Sequence, residues 1–397
     1  MKIIFLCGYF AKENEQEVNE NAKIAVEYSA NIFQDKLIEG LEDNNYDFEV
    51  ISAPFIGAFP NGYKKSFFRG FKERQTKCKY VKFNNIWGIR NFSRANSLKH
   101  TLKDFIEYKD EKKLIIVYSV HTPLLSAAVY AKRKDSNIKI CLIVPDLPQY
   151  MNLSAKKSAL YKIGKKFDIR KFNKLNKFVD SYVLLTEAMK EKLDIHNKPY
   201  IVAEGIVGKK QLDEMADRTN LPQKEEGCKY IVYTGKMYKK FGVKDLLDTF
   251  ENIEDGSLRL VLCGTGDLNK YINELSEKDK RVIYKGQVSP NEALKWVKAA
   301  DVLVNPRKDD SEYTKYSFPS KNIEFLLSGN PVIAYQLKGM KECYKDYIVQ
   351  ISNGNLKTAI MNAFYEENTR EKKDFFKYVI ENLYNSSILQ NIVKVSF

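Results

Sequence analysis

The sequence predicts an α/β fold made of two domains, each a parallel sheet covered by helices. Three observations carry this prediction. Apolar, strand-like runs alternate with helical segments through most of the chain. The runs fall into two sets, parted by the polar stretch AEGIVGKKQLDEMADRTNLPQKEEGC at 203–228, which has the Gly, Pro and charge content of a linker. The length of 397 residues suits two domains, and an apolar share of 44% gives each a core.

In chain order, the first set of strands is expected at Lys2–Cys7, Phe48–Ile51, Leu114–Val120, Ile138–Val144 and Ser181–Leu185. The second is expected at Tyr230–Tyr233, Leu258–Cys263, Val282–Tyr284, Val302–Asn305 and Pro331–Ala334. A helix is expected from Phe375 to Val393. The predicted domains are 1–203 and 204–374, with a terminal helical segment at 375–397. The opening MKIIFLCGYF is a short apolar run that leads into AKENEQEVNENA without a small-residue cleavage site, so it reads as a buried strand. No run reaches the roughly 18–20 apolar residues of a membrane span.

The formal net charge is +14, which favours an anionic partner: nucleotide phosphate, nucleic acid or an acidic membrane surface. Six Cys are scattered, no C-x-x-C occurs and only three His are present, so no metal site is expected. Cys7, Cys141 and Cys263 sit in apolar runs and read as core residues, consistent with a reducing cytoplasm.

The most informative stretch is YSFPSKNIEFLLSGNPVIA, from Tyr316 to Ala334. It reads as loop, helix, strand. Pro319 turns the chain, Ser320 suits an N-cap and Gly329 suits a helix stop. Lys321 adds positive charge where the helix dipole already favours phosphate. Glu324, one turn on, is placed to bind a ribose diol. Upstream, YTGKMYKKFGVKDLL opens a helix after a strand. Gly235 there permits close backbone approach and Lys236 can reach a diphosphate, with Lys240 as a second candidate. A solvated lysine cluster is the plainer alternative. LVLCGTGDL ends a strand in a turn containing Gly264 and Gly266, a pattern weak by itself. Arg307, after Val302–Asn305, either clamps phosphate or staples its loop to Asp309, Asp310 or Glu312.

In the first half, His121 follows a strand and is a candidate sugar contact, a structural His being the alternative. Asp146 lies between Pro145 and Pro148, placed either to orient or deprotonate an acceptor hydroxyl or to cap a turn. Asn31 and Gln34 on an amphipathic helix are candidates for the acceptor side. Basic residues interleave with aromatic or apolar ones at 63–83 and 155–177. Both stretches fit an anionic leaflet, with nucleic acid or a merely solvated lysine face as alternatives; no nucleic-acid motif is visible.

These motifs resemble the retaining GT-B glycosyltransferases of the family 4 type, especially capsule and exopolysaccharide enzymes carrying F-P-S-K-x-x-E. The resemblance is strong over 230–336 and weaker over 1–200. It implies two Rossmann-like domains facing across a cleft, with the terminal helix packed back on the first domain. It implies transfer from a nucleotide sugar, UDP-linked by preference, to a lipid-linked or polysaccharide hydroxyl, with retention and without metal or cofactor, at the inner face of the cytoplasmic membrane. It places Gly8 in a turn facing the donor and Gln287 and Val288 beside the base. In the family's E-x7-E pair the second Glu is Glu324, whereas the first position holds Tyr316; Glu312 or Asp310 then stands as its substitute. A GT-B epimerase of nucleotide sugars, or an inactive scaffold, are the other readings.

Overall fold

The computed structural model describes residues 1–71, 78–109, 112–149, 159–195, 197–365 and 375–397. The chain forms two compact units, Met1–Gly208 with Asn382–Phe397, and Lys209–Glu381. These boundaries differ from the expected 203/204 and 374/375.

Among the described residues, the first unit holds a seven-stranded parallel sheet and a short antiparallel pair, Phe67–Phe68 with Phe83–Asn84. The strands of the larger sheet are β1 (Lys2–Cys7), β2 (Asp47–Ser52), β3 (Cys78–Tyr80), β4 (Lys113–Tyr118), β5 (Ile138–Val144), β6 (Ser181–Leu184) and β7 (Tyr200–Val202). They lie in the order β3-β2-β1-β4-β5-β6-β7. Every pairing is parallel. Central strands are buried on both faces, as β4 is throughout, and this is why they read as unbroken apolar runs rather than alternating ones. Lys113 is the exception in β4. It is 2% exposed and is held by Asp135 at 2.9 Å and by the Ile106 carbonyl at 2.9 Å.

The second unit holds β8 (Lys229–Thr234), β9 (Leu258–Cys263), β10 (Val282–Gly286), β11 (Val302–Asn305), β12 (Val332–Ala334) and β13 (Val349–Gln350). Their order is β10-β9-β8-β11-β12-β13, again all parallel. Both sheets therefore reverse direction beside their first strand. Ligands of open α/β sheets bind beyond the carboxyl ends of the strands at such a switch point. That places attention on the turns after β1 and β4 in one unit, and after β8 and β11 in the other.

Two expectations need correction. The stretch 203–228 is not all linker, since Lys209–Ala216 is helical. The terminal helix is two helices, Phe375–Asn382 and Asn385–Ser396. The break occurs where Val207 takes both partners it needs from the returning chain: its amide donates to the Leu383 carbonyl at 2.8 Å, and the Asn385 amide donates to its carbonyl at 2.9 Å. The second helix then buries Ile388, Leu389 and Ile392 in the core of the first unit.

Candidate functional site

In the second unit, the turns after β8, β9 and β10 touch backbone to backbone. The Gly264 amide donates to the Gly286 carbonyl at 2.7 Å, and the Gly235 amide to the Cys263 carbonyl at 2.9 Å. Gly264 has φ +136°, and a Cβ there would stand 1.8 Å from the Gly235 oxygen. Gly266 is equally confined, its Cβ position lying 2.2 Å from the Met237 oxygen. Glycine is thus required sterically, which the lone G-T-G pattern does not reveal. Thr265 donates its hydroxyl to Gln287 Oε1 at 3.1 Å, joining the β9 and β10 turns. Val288 is half-buried beside it.

On the other side of β8, Gly242 closes against β11. It has φ +79°, and its Cβ position falls 2.0 Å from the Pro306 oxygen. Arg307 follows. Its Nη2 donates to Ser317 Oγ at 2.9 Å and its guanidinium stands 5.9 Å from the centroid of the Tyr313 ring. Burial lowers its pKa, while Tyr313, Asp310 and Asp309 oppose that shift. Among the described residues it makes no ion pair with Asp309, Asp310 or Glu312, so the loop staple is not formed.

The helix Lys321–Leu327 starts at the same end of the sheet. Lys321 Nζ donates to Glu324 Oε1 at 2.8 Å and to Thr234 Oγ1, at the end of β8, at 3.3 Å. One lysine therefore ties this helix to the switch-point strand. Asn305, at the end of β11, donates to Asn322 Oδ1 at 2.6 Å and fixes the helix from the other side. Ser320 does not cap the helix as expected. It has helical angles (φ −52°, ψ −25°) and its hydroxyl makes no capping bond, because the first turn closes through the Asn322 amide to the Pro319 carbonyl at 2.8 Å. Gly329 takes the left-handed φ of +76° at the far end.

Lys236 is exposed, without a side-chain partner among the described residues. Lys240 lies in a 3-10 turn over Lys239–Phe241, about its neighbours' rings, 5.4 Å from Tyr238 and 5.2 Å from Phe241. Tyr316 is 5% exposed, packed within a 3-10 turn that begins at exposed Glu312. The phenol at the first E-x7-E position is thus buried in the core, while Asp310 and Glu312 are both exposed.

In the first unit, the Gly8 amide donates to Gln34 Oε1 at 2.7 Å. A Cβ on Gly8 would meet the Phe55 ring at 2.2 Å. Asn31 grips the next turn through both Phe10 backbone groups, at 2.9 and 2.8 Å. Asn31 and Gln34 are therefore buried clamps on the β1 turn rather than acceptor contacts. His121 follows β4 and begins the helix Thr122–Lys134. Its ring meets Phe55 edge-on at 5.2 Å, and its Nδ1 is buried with no hydrogen-bond partner. Burial, then Arg94, Arg90 and Lys171, hold its pKa well below the ordinary range, so the imidazole is neutral. Asp146 follows β5 and is partly buried. It lies near enough to Tyr118 to help burial raise that phenol's pKa.

A cleft of about 520 Å³ opens beside His121, lined also by Trp87, Arg90, Phe167 and Lys171. Of these only His121 was singled out above for a role in the site. The signal for the rest is Arg90 and Arg94 at helical i, i+4 spacing within Arg90–Thr101. Of the two basic stretches, Lys72, Arg74, Lys77, Lys156 and Lys157 lie outside the described residues. The second forms a helix, Ala159–Asn176, with Ile163 and Phe167 exposed at 53% and 62%. Among the described residues, no three His, Cys, Asp or Glu gather as metal ligands, and no helix is long and apolar enough to cross a membrane.

Residues 228–364 match the family model described as Glycosyl transferases group 1. The alpha-monoglucosyldiacylglycerol synthase of Streptococcus pneumoniae is 26% identical over 119 residues, which is 28% of this chain and 25% of that relative. The chain thus spans about a quarter of that relative's length. Among solved structures, a sucrose-phosphate synthase from Thermosynechococcus elongatus superposes with TM-score 0.60 at 16% identity, covering 100% of this chain and 98% of that one. The lipopolysaccharide outer core galactosyltransferase WaaB superposes with TM-score 0.58 at 15% identity, covering 100% and 99%. Anabaena Alr3699/HepE, solved in complex with UDP, gives 0.58 at 12% identity, covering 99% of each.

Proposed function

We propose that this chain, a GT-B protein of the glycosyltransferase family 4-like kind, transfers a sugar from a nucleotide sugar to an acceptor hydroxyl. The observation that carries the reading is the convergence at the second switch point. There Lys321, paired with Glu324, sits against Thr234, beside Gly235, whose φ of +148° favours glycine, and the sterically obligatory Gly264. Lys321 and Lys236, with Arg307, are the groups that neutralise charge gathering on the departing diphosphate. Glu324 accepts from the ribose hydroxyls. Gln287 and Val288 lie beside the base. The matched model over 228–364 covers this site, and the UDP bound in one structural neighbour supports UDP as the carrier.

His121 and Asp146, from the first unit, are assigned to the sugar and the acceptor. A neutral imidazole can accept or donate one hydrogen bond to a sugar hydroxyl, whereas a cation would not suit the oxocarbenium-like charge of glycosyl transfer. Retention, independence of metal and a role in cell-surface polysaccharide assembly belong to the same proposal. So does binding at an anionic leaflet, which the exposed Ile163 and Phe167 among lysines on one helix support.

An inactive, scaffolding chain is the second reading, favoured by buried Tyr316 where an acidic residue is expected. Release of nucleoside diphosphate from a panel of UDP-, GDP- and ADP-sugars, with membrane lipid extract as acceptor, separates the two. Release with one donor supports transfer; nucleotide binding with no release from any donor supports the scaffold.

A further inference from the structure

We propose that the second unit carries a binding groove for an uncharged saccharide, separate from the groups assigned above to the donor and the acceptor. The groove holds about 480 Å³, in the range of small-molecule sites. One wall is the helix Val243–Glu251, which supplies Asp245, Asp248, Thr249 and, just past its end, Asn252. These stand at i, i+3, i+4 and i+7, one face of the helix, opposite the face that buries Val243, Leu246, Leu247 and Phe250. The other walls are Lys308 after β11, Tyr335 after β12 and the turn of residues 353–357 after β13. The groove thus lies at the carboxyl ends of the strands, on the β12–β13 flank, and none of Lys236, Arg307, Lys321 and Glu324 lines it.

The first argument is charge. In a chain of net charge +14, this groove carries two carboxylates and two ammonium groups. Each already has a partner within the unit. Asp245 pairs with Lys308 at 2.7 Å. Asp248 is held by Lys244 and by the Tyr271 hydroxyl, the latter at 3.1 Å. Lys357 donates to the Asn252 carbonyl at 2.8 Å. An ionic ligand would meet both signs and gain little from either, so the groove selects against phosphate, which the rest of the surface attracts.

The second argument is the polar groups left over. Among the described residues, the Thr249 and Tyr335 hydroxyls and the Asn353 carboxamide have no hydrogen-bond partner, although all three line the groove. Asn252 spends only its Nδ2, on the Asp248 carbonyl at 2.7 Å, and Asn355 only its Oδ1, on the Thr358 amide at 3.0 Å. The lining therefore offers neutral donors and acceptors from three segments of chain, beside one phenol ring. A sugar fits this set, because each of its hydroxyls both donates and accepts and its C–H face packs against an aromatic ring. A peptide or lipid would need an apolar wall, and Leu356 is the one aliphatic residue of the lining.

The test is saturation-transfer NMR of the full chain with uncharged probes: maltohexaose, cellohexaose, mannohexaose and N-acetylchitohexaose. The strongest binder is then titrated with and without saturating UDP. The wild type is expected to bind at least one probe, with the same affinity whether UDP is present or not. Asn353→Gly keeps the turn, since Asn353 has a left-handed φ of +50° that glycine adopts freely, and removes only the amide. Tyr335→Phe removes only a hydroxyl. Each should weaken the probe about fivefold and the two together about twentyfold, the loss expected for one and two hydrogen bonds, with UDP affinity unchanged. Asn220→Gly, at another left-handed Asn (φ +53°) outside the groove, should change neither. Absence of binding by every probe overturns the proposal, as does equal affinity in wild type and the double variant, or displacement of the probe by UDP. Saccharide binding by a chain that fails to bind UDP would support the groove and count against the transfer reading alone.

Discussion

Lys321 and Glu324 form a 2.8 Å ion pair across one helical turn, at the point where their separate duties would bring them together on a nucleotide. The pair is 39% and 28% exposed, so it contributes only about 0.5 kcal/mol to stability. Its consequence is for binding. Glu324→Gln should leave the unfolding midpoint almost unchanged, keep or raise affinity for inorganic pyrophosphate by freeing Lys321, and weaken UDP through the ribose. Parallel titrations with the two ligands check this; an equal loss for both would show that Glu324 acts only by positioning Lys321.

Gly264→Ala should abolish the second unit's site. A methyl group there meets the Gly235 carbonyl at 1.8 Å, backbone against backbone, at a φ of +136° that side chains rarely adopt. The change is expected to cost about 3 kcal/mol or more and to eliminate UDP binding. Gly256→Ala, where nothing stands within 4 Å of the added carbon, is the matched control and should retain binding.

The neutral His121 predicts a pH dependence. Its folded pKa is depressed, so the unfolded chain takes up a proton first, near pH 6.5. Its contribution is fully present above about pH 6.5 and is lost as pH falls below that value. Between about pH 5 and 6.5 it should steepen the loss of stability by up to about 1.4 kcal/mol per pH unit. His121→Gln should flatten that segment of a urea-midpoint profile. An unchanged slope would contradict the burial of a neutral imidazole beside Arg90 and Arg94.

The central strands of both sheets were legible because parallel strands buried on two faces leave continuous apolar runs, as LIIV at 114–117 and LVLC at 260–263 do, whereas the short outer strands Cys78–Tyr80, Tyr200–Val202 and Val349–Gln350 carry too few apolar residues to be read. Lys321 and Glu324 were legible because their spacing within one short helix places them together. What the sequence hid depends on distant contacts. Gln34 reads as a candidate for the acceptor side until the β1 turn is seen to need an acceptor for the Gly8 amide. The break after Asn382 is set by Val207, which lies far away in the chain. Arg90 and Arg94 show only their i, i+4 spacing; their want of a carboxylate is a property of the fold. The phenol of Tyr316 departs from an acidic pattern, and only its burial shows that it belongs to the core.

Lys113 gives a stability test away from either site. Its ammonium is buried in β4 and paired with Asp135 at 2.9 Å, a bond that lowers the Asp135 pKa. Asp135→Ala leaves that charge without its counter-ion and should cost about 3 kcal/mol, with part of the loss averted by the Ile106 carbonyl. Lys113→Met with Asp135→Ala should recover most of it, and denaturant midpoints of the three variants decide the matter.

The most direct test of the central claim is titration of UDP into wild type, Lys321→Ala and Glu324→Ala. Micromolar binding to the wild type, weakened by roughly tenfold to a hundredfold in each variant, is the predicted result for a charge-assisted diphosphate contact and a ribose contact. Equal UDP affinity in all three proteins would contradict the placement of the nucleotide at this helix and, with it, the proposed transfer reaction.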